Sequence, residues 1–176
     1  MPEDQERRAR QAFDRADADG DGMLSPDEVR TAVEDLPQLW AMLEVNTGIE
    51  RSKCQEIATS VAMCKLDLNG SGFLSWQEFR ALWTSVLNDP KSQLEFYHMA
   101  MFSAFDTDGS KTLDPNELAT FLDIFYKEGS IFSGDYRLPP KEELVQLAMS
   151  RLDLNRDRRL SFRELEPLLT GHLQLA

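Results

Sequence analysis

A chain of 176 residues can build one sizeable core or two small lobes. With 31 acidic against 19 basic residues its formal net charge is −12, which argues against nucleic acid as a partner; the excess suits cations or basic peptides, while charge alone favours no more than a solvated acidic surface. An apolar share of 41% with 28% charged residues is that of an ordinary folded domain, and no apolar run approaches the roughly 18 residues of a membrane span.

The opening "MPEDQERRAR" has no apolar core of a secretory leader, and Pro2 stands where myristoylation needs glycine, so no anchor is expected. Ala9, Ala12, Phe13 and Ala16 then form one apolar stripe at helical spacing. It leads into "DADGDGMLSPDE" (17–28) and out through Val29, Ala32, Val33 and Leu36. The stretch "LPQLWAMLEVNTGIE" (36–50) reads as an insertion that contains Leu39, Trp40, Met42 and Leu43 before a capping box at Thr47–Glu50, and that either folds on its own lobe or forms a longer helix with a surface loop. Cys54 and Cys64 lie too far apart in one helix to bridge and are expected as free, buried thiols of a reducing compartment.

The pattern repeats. Thr59, Ala62, Met63 and Leu66 precede "DLNGSGFLSWQE" (67–78), and Phe79, Leu82, Trp83 and Val86 follow it. Asn88-Asp89-Pro90 is a turn, with Asp89 as cap and Pro90 as first helical residue, favouring a short hinge over a continuous central helix. His98, Met101, Phe102 and Phe105 enter "DTDGSKTLDPNE" (106–117), and Leu118, Phe121, Leu122 and Phe125 leave it. A second insertion, "YKEGSIFSGDYRLPPKEE", holds Ile131, Phe132 and Tyr136. Val145, Ala148, Met149 and Leu152 then approach "DLNRDRRLSFRE" (153–164), and Leu165, Leu168, Leu169 and His172 close the series. Pro167 is expected to kink that last helix and release Leu173 and Leu175.

Four windows in register, each with Asp first, Leu eighth and Glu twelfth, exceed chance. They resemble the EF-hand loop, and nearly the whole chain resembles the calmodulin and troponin C superfamily; "LDLNGSGFLSWQEFRALW" has a local likeness to penta-EF-hand domains. The resemblance implies an all-α fold of four helix–loop–helix units in two paired lobes, 1–88 and 89–176, with short β pairing between the loops of each lobe. It places calcium ligands at Asp17, Asp19, Asp21, Met23 and Glu28; at Asp67, Asn69, Ser71, Phe73 and Glu78; at Asp106, Asp108, Ser110, Thr112 and Glu117; and at Asp153, Asn155, Asp157, Arg159 and Glu164. The chemistry is coherent. Ca2+ takes six to eight oxygens, alternate side chains of a wound loop converge, the seventh residue offers its carbonyl and the twelfth Glu both carboxylate oxygens, while Mg2+ competes for such sites.

Loop charge separates the four, at −5, −2, −3 and +1 in chain order. Lys111 and Arg158 stand at the sixth place, where left-handed backbone costs a non-glycine residue about 1–2 kcal/mol. Occupancy is therefore expected to decline along the chain, with the fourth loop weakest. The twelfth Glu also belongs to capping boxes, Ser25–Glu28, Ser75–Glu78, Asp114–Glu117 and Ser161–Glu164, so an empty loop could retain it. The two histidines lie in apolar stripes without a nucleophile motif, and catalysis is not expected. A cytoplasmic location is the default from composition, and unequal loop charges with seven methionines favour a calcium sensor that, as the resemblance implies, regulates a protein target through a helix or peptide; a buffer, or a subunit constitutively bound to a larger partner, is the alternative.

Overall fold

Helix α1 (Glu3–Ala16) shows how the stripes become structure. Ala9, Ala12, Phe13 and Ala16 are all buried, while Arg8–Asp4 and Arg10–Asp14 pairs line the outer face. The computed structural model describes residues 3–34, 36, 40–133 and 140–170, without the side chains of Glu3, Gln5, Leu82, 85–88 and 127–133. The expectations for Leu39, Leu82, Val86, Ile131, Phe132, Tyr136, His172, Leu173 and Leu175 fall outside that description.

After β1 (Met23–Leu24) come α2 (Pro26–Glu34), α3 (Ala41–Thr47) and α4 (Arg51–Leu66), then β2 (Leu74–Ser75) and α5 (Trp76–Asn88). The chain continues through α6 (Pro90–Phe105), β3 (Thr112–Leu113), α7 (Pro115–Ser133), α8 (Lys141–Leu152), β4 (Leu160–Ser161) and α9 (Phe162–Leu169). The fold is all-α, with loops joined in two antiparallel ribbons: Leu24 opposite Leu74, and Leu113 opposite Leu160. All four eighth-place leucines are fully buried.

Contacts divide the chain into two units, 1–100 and 101–176. In the first, α2 packs on α4 and α1, and α1 on α5. Phe13 lies 5.5 Å edge-on to both Trp76 and Phe79, so its ring ties the first repeat to the second. In the second unit α7 packs on α8, Phe105 meets Phe121 at 6.1 Å, and Phe102 meets Phe162 at 5.7 Å. The division falls twelve residues beyond the 88/89 boundary read from sequence. The start of α6 is fastened within unit 1: Asn46 Nδ2 donates to the Tyr97 hydroxyl at 2.8 Å and Lys65 pairs with Glu95 at 2.8 Å.

Several expectations are corrected. Thr47 does not cap α4. It ends α3, donating to Leu43 O at 2.6 Å, and Gly48 turns left-handed (φ 68°) behind it; Glu50 precedes α4 without a side-chain cap. Cys54 is buried, but Cys64 is exposed because α4 turns a different face inward, that of Ile57, Ala58, Val61 and Ala62. Accordingly Met63 and Leu66 are only half-buried, as are Val145 and Met149 on α8. Helix α9 runs through Pro167, with Leu168 and Leu169 still buried beyond it.

The first insertion does fold on its own unit. Trp40 and Leu43 are buried, and Trp40 Nε1 donates to Val33 O at 3.1 Å, satisfying the indole where it enters the core. Arg51 covers the outer face of that indole at 5.0 Å.

Candidate metal centres

Each loop is wound by its first Asp. Asp17 accepts Gly20 N at 2.9 Å and Gly22 N at 3.1 Å; Asp67 accepts Ser71 N and Gly72 N, both at 2.8 Å. Asp106 accepts Ser110 N at 2.9 Å and Lys111 N at 2.8 Å, and Asp153 accepts Asp157 N at 3.2 Å and Arg158 N at 3.0 Å. The winding needs left-handed backbone at the sixth place, supplied by Gly22, Gly72, Lys111 and Arg158, and equally at the fourth, supplied by Gly20, Gly70, Gly109 and Arg156. The fourth-place requirement was missed in the sequence, although glycine there in three loops was its signal. Loop 153–164 thus carries two strained arginines, not one.

The twelfth Glu ties each loop end to end. Its Oε1 accepts the second-place N–H (Ala18 at 2.9, Leu68 at 3.2, Thr107 at 2.8, Leu154 at 3.2 Å), and its Oε2 accepts the ninth-place N–H at 2.9–3.0 Å. The capping boxes are therefore present, and Glu28 stands below the usual carboxylate range chiefly through the Ser25 backbone bond. Glu117 and Glu164 are lowered too: burial pushes each up but is outweighed, at Glu117 by bonds from Asp114 and Thr107, at Glu164 by bonds from Ser161 and Leu154.

Asp17, Asp19 and Glu28 bring carboxylate oxygens within 4.8 Å of one another, as do Asp106, Asp108 and Glu117. Oxygens on opposite sides of a calcium ion, each about 2.3–2.6 Å away, are separated by about this span, so both sets fit the ion. Among the described residues these are the two triads of acidic groups that converge so closely. Asp21 turns one oxygen to Met23 N at 2.8 Å. In loop 67–78 the donors are mixed: Asn69 Oδ1 accepts Ser71 N, and Ser71 Oγ donates to the Phe73 carbonyl at 3.0 Å, bringing fifth and seventh places together. Ser110 and the Thr112 carbonyl do the same at 2.9 Å.

Loop 153–164 is organised differently. Asp157 is engaged at both oxygens, by Arg159 N at 2.8 Å and by the Asn155 amide at 2.9 Å, and Asn155 Oδ1 accepts Asp157 N. The Arg159 side chain leaves its own loop for its neighbour.

Comparison with known proteins fits this geometry. The sequence matches the EF-hand domain pair over residues 6–84 and 95–170, most of its length. It is 32% identical over 99 residues to human guanylyl cyclase-activating protein 3, covering 56% of this chain and 43% of that protein. Against calcium-binding protein LPS1-alpha of Lytechinus pictus it is 27% identical over 169 residues, 92% of this chain and 44% of the relative; the chain thus spans less than half the length of both. The photoprotein clytin has a TM-score of 0.39 and 16% identity, covering 97% of this chain and 87% of that one. The chain belongs to the EF-hand family of calcium-binding proteins. Calcium is the ion its acidic loops are built to hold.

Proposed function

We propose that this EF-hand protein is a calcium sensor, which changes conformation on binding and regulates a protein target by taking up a helix or peptide of that target. The side chains named for loops 17–28, 67–78, 106–117 and 153–164, with the carbonyls of Met23, Phe73, Thr112 and Arg159, are the proposed ligands. Loops 17–28 and 67–78 form one lobe (1–88) and the other two a second (89–176). When bound, calcium supplies the double positive charge that offsets repulsion among the loop carboxylates.

One observation carries the reading. In every loop the twelfth Glu both closes the cage and sits in the first turn of the departing helix, next to a fully buried Val29, Phe79, Leu118 or Leu165. Recruiting its two oxygens to an ion therefore repositions a helix whose apolar face holds the core, Phe79 against Phe13 among them. Binding, not catalysis, is the proposed activity, in the cytoplasm, with Mg2+ as the competing ion; no described helix is long and apolar enough to cross a membrane.

A second reading, a buffer or constitutively assembled subunit, is favoured by α3. Trp40 and Leu43 already fill apolar surface that opening would expose. Fluorescence of a hydrophobic dye with and without calcium decides between them. A large calcium-dependent rise is expected. An unchanged signal selects the buffer, and strong signal in both states selects a subunit whose partner is missing.

A further inference from the structure

Of the four seventh-place residues only Arg159 carries a charge, against Met23, Phe73 and Thr112. The β3–β4 register, Leu113 opposite Leu160, sets Arg159 beside Asp114 and diagonal to Thr112 on the neighbouring strand. Its guanidinium uses that position to reach into loop 106–117. Nη2 pairs with Asp108 Oδ2 at 3.1 Å, and Nη1 donates to Ser110 Oγ at 2.7 Å and Thr112 Oγ1 at 3.2 Å. Asp108 and Ser110 are the third- and fifth-place residues of that loop. The other Asp108 oxygen already accepts Ser110 N at 3.0 Å, so the guanidinium holds the carboxylate oxygen left over for a ligand.

We propose that Arg159 is an internal competitor for calcium at loop 106–117: its fork occupies oxygens of Asp108 and Ser110 that the ion needs, and must withdraw before the cage can close. The proposal rests on the reading of loop 106–117 as a calcium site. A planar guanidinium suits this role because it offers two parallel donors to oxygens side by side, which a lysine ammonium cannot match. The effect is confined to the second unit, because Met23 and Phe73 leave the first pair of loops without such a cation. The loop most like 17–28 in its converging triad is thereby set to respond at a higher calcium concentration.

The test uses the full chain carrying Glu28→Gln, Glu78→Gln and Glu164→Gln, so that loop 106–117 dominates the calcium titration in calorimetry. Adding Arg159→Ala should lower its dissociation constant roughly threefold to tenfold, the scale of removing one partly exposed cation that competes for the site. Arg159→Lys, which keeps charge but not the fork, should fall between. In the unsubstituted chain, the Arg159 guanidinium resonance in 15N NMR should shift in step with the Gly109 amide as calcium is added. Equal or weaker affinity in Arg159→Ala overturns the competitor. Failure of loop 106–117 to take up calcium with either residue at 159 overturns the calcium reading of that loop itself.

Discussion

Glu28 and Glu164 make the same hydrogen bonds at the same loop place, yet they close cages of opposite net charge, −5 and +1. Glu28→Gln should remove a binding step in calcium calorimetry, while Glu164→Gln should change the isotherm much less; equal losses would contradict the ranking. The weakness of the fourth loop has a backbone component. Arg156 (φ 62°) and Arg158 (φ 64°) each bear a left-handed cost of about 1–2 kcal/mol, offset in part by the roughly 0.5–1 kcal/mol of extra chain freedom that glycine would bring. Replacing both with glycine should create a measurable calcium step at this loop, which Glu164→Gln would then abolish. His98 offers a separate check. Burial lowers its pKa below the ordinary 6.5, so between the two values the unfolded chain holds a proton that the folded chain does not. Its effect on stability is absent above 6.5 and becomes a loss as pH falls below it. Thermal midpoints of the chelated chain should decline with pH from 6.5 downward, and His98→Gln should flatten the start of that decline.

At the scale of elements, the insertion helix α3 is informative because α1 presents three alanines and one phenylalanine to its unit. Bulk must come from elsewhere, and Trp40 and Leu43 provide it. Trp40→Ala removes a buried ring and the bond to Val33 O, and should cost about 3–5 kcal/mol in urea unfolding. Met42→Ala on the exposed side of α3 should stay within about 0.5 kcal/mol. A smaller Trp40 effect would mean that α3 only rests on the unit. At the junction of α5 and α6, Asp89 Oδ2 accepts Ser92 N at 3.0 Å and Pro90 starts the helix, as the turn chemistry predicts. The cap decides where α6 begins; it does not decide where the units divide, because Glu95 and Tyr97 bond back to residues 65 and 46.

For the whole molecule, a formal charge of −12 means that the calcium-free chain folds against its own repulsion. Calcium binds the folded chain, whose oxygens converge, far better than an unfolded one. At about a hundred times the dissociation constant, each site should add roughly 2.7 kcal/mol. The melting temperature should therefore climb with calcium in calorimetry, and an unmoved midpoint in saturating calcium would sink the family's chemistry for this chain.

The sequence by itself determined the repeats, the all-α class and the paired loops, and it is the basis on which the ligands are proposed. These depend on spacing of one to twelve residues, which local chain geometry converts directly into shared faces and a common centre. The capping boxes were legible for the same reason, since Ser or Asp and Glu three residues on meet within one helical turn. What only the tertiary structure decided involves distant partners. The face of α4 that turns inward, and hence the exposure of Cys64, is set by the packing of α2, α3 and α5 on it. Thr47 lost its capping role because α3 extended through it. Spacing gave Arg159 a carbonyl ligand and a charge within its own loop; the β3–β4 ribbon set its guanidinium on Asp108, 51 residues away, where through-space electrostatics takes over from spacing.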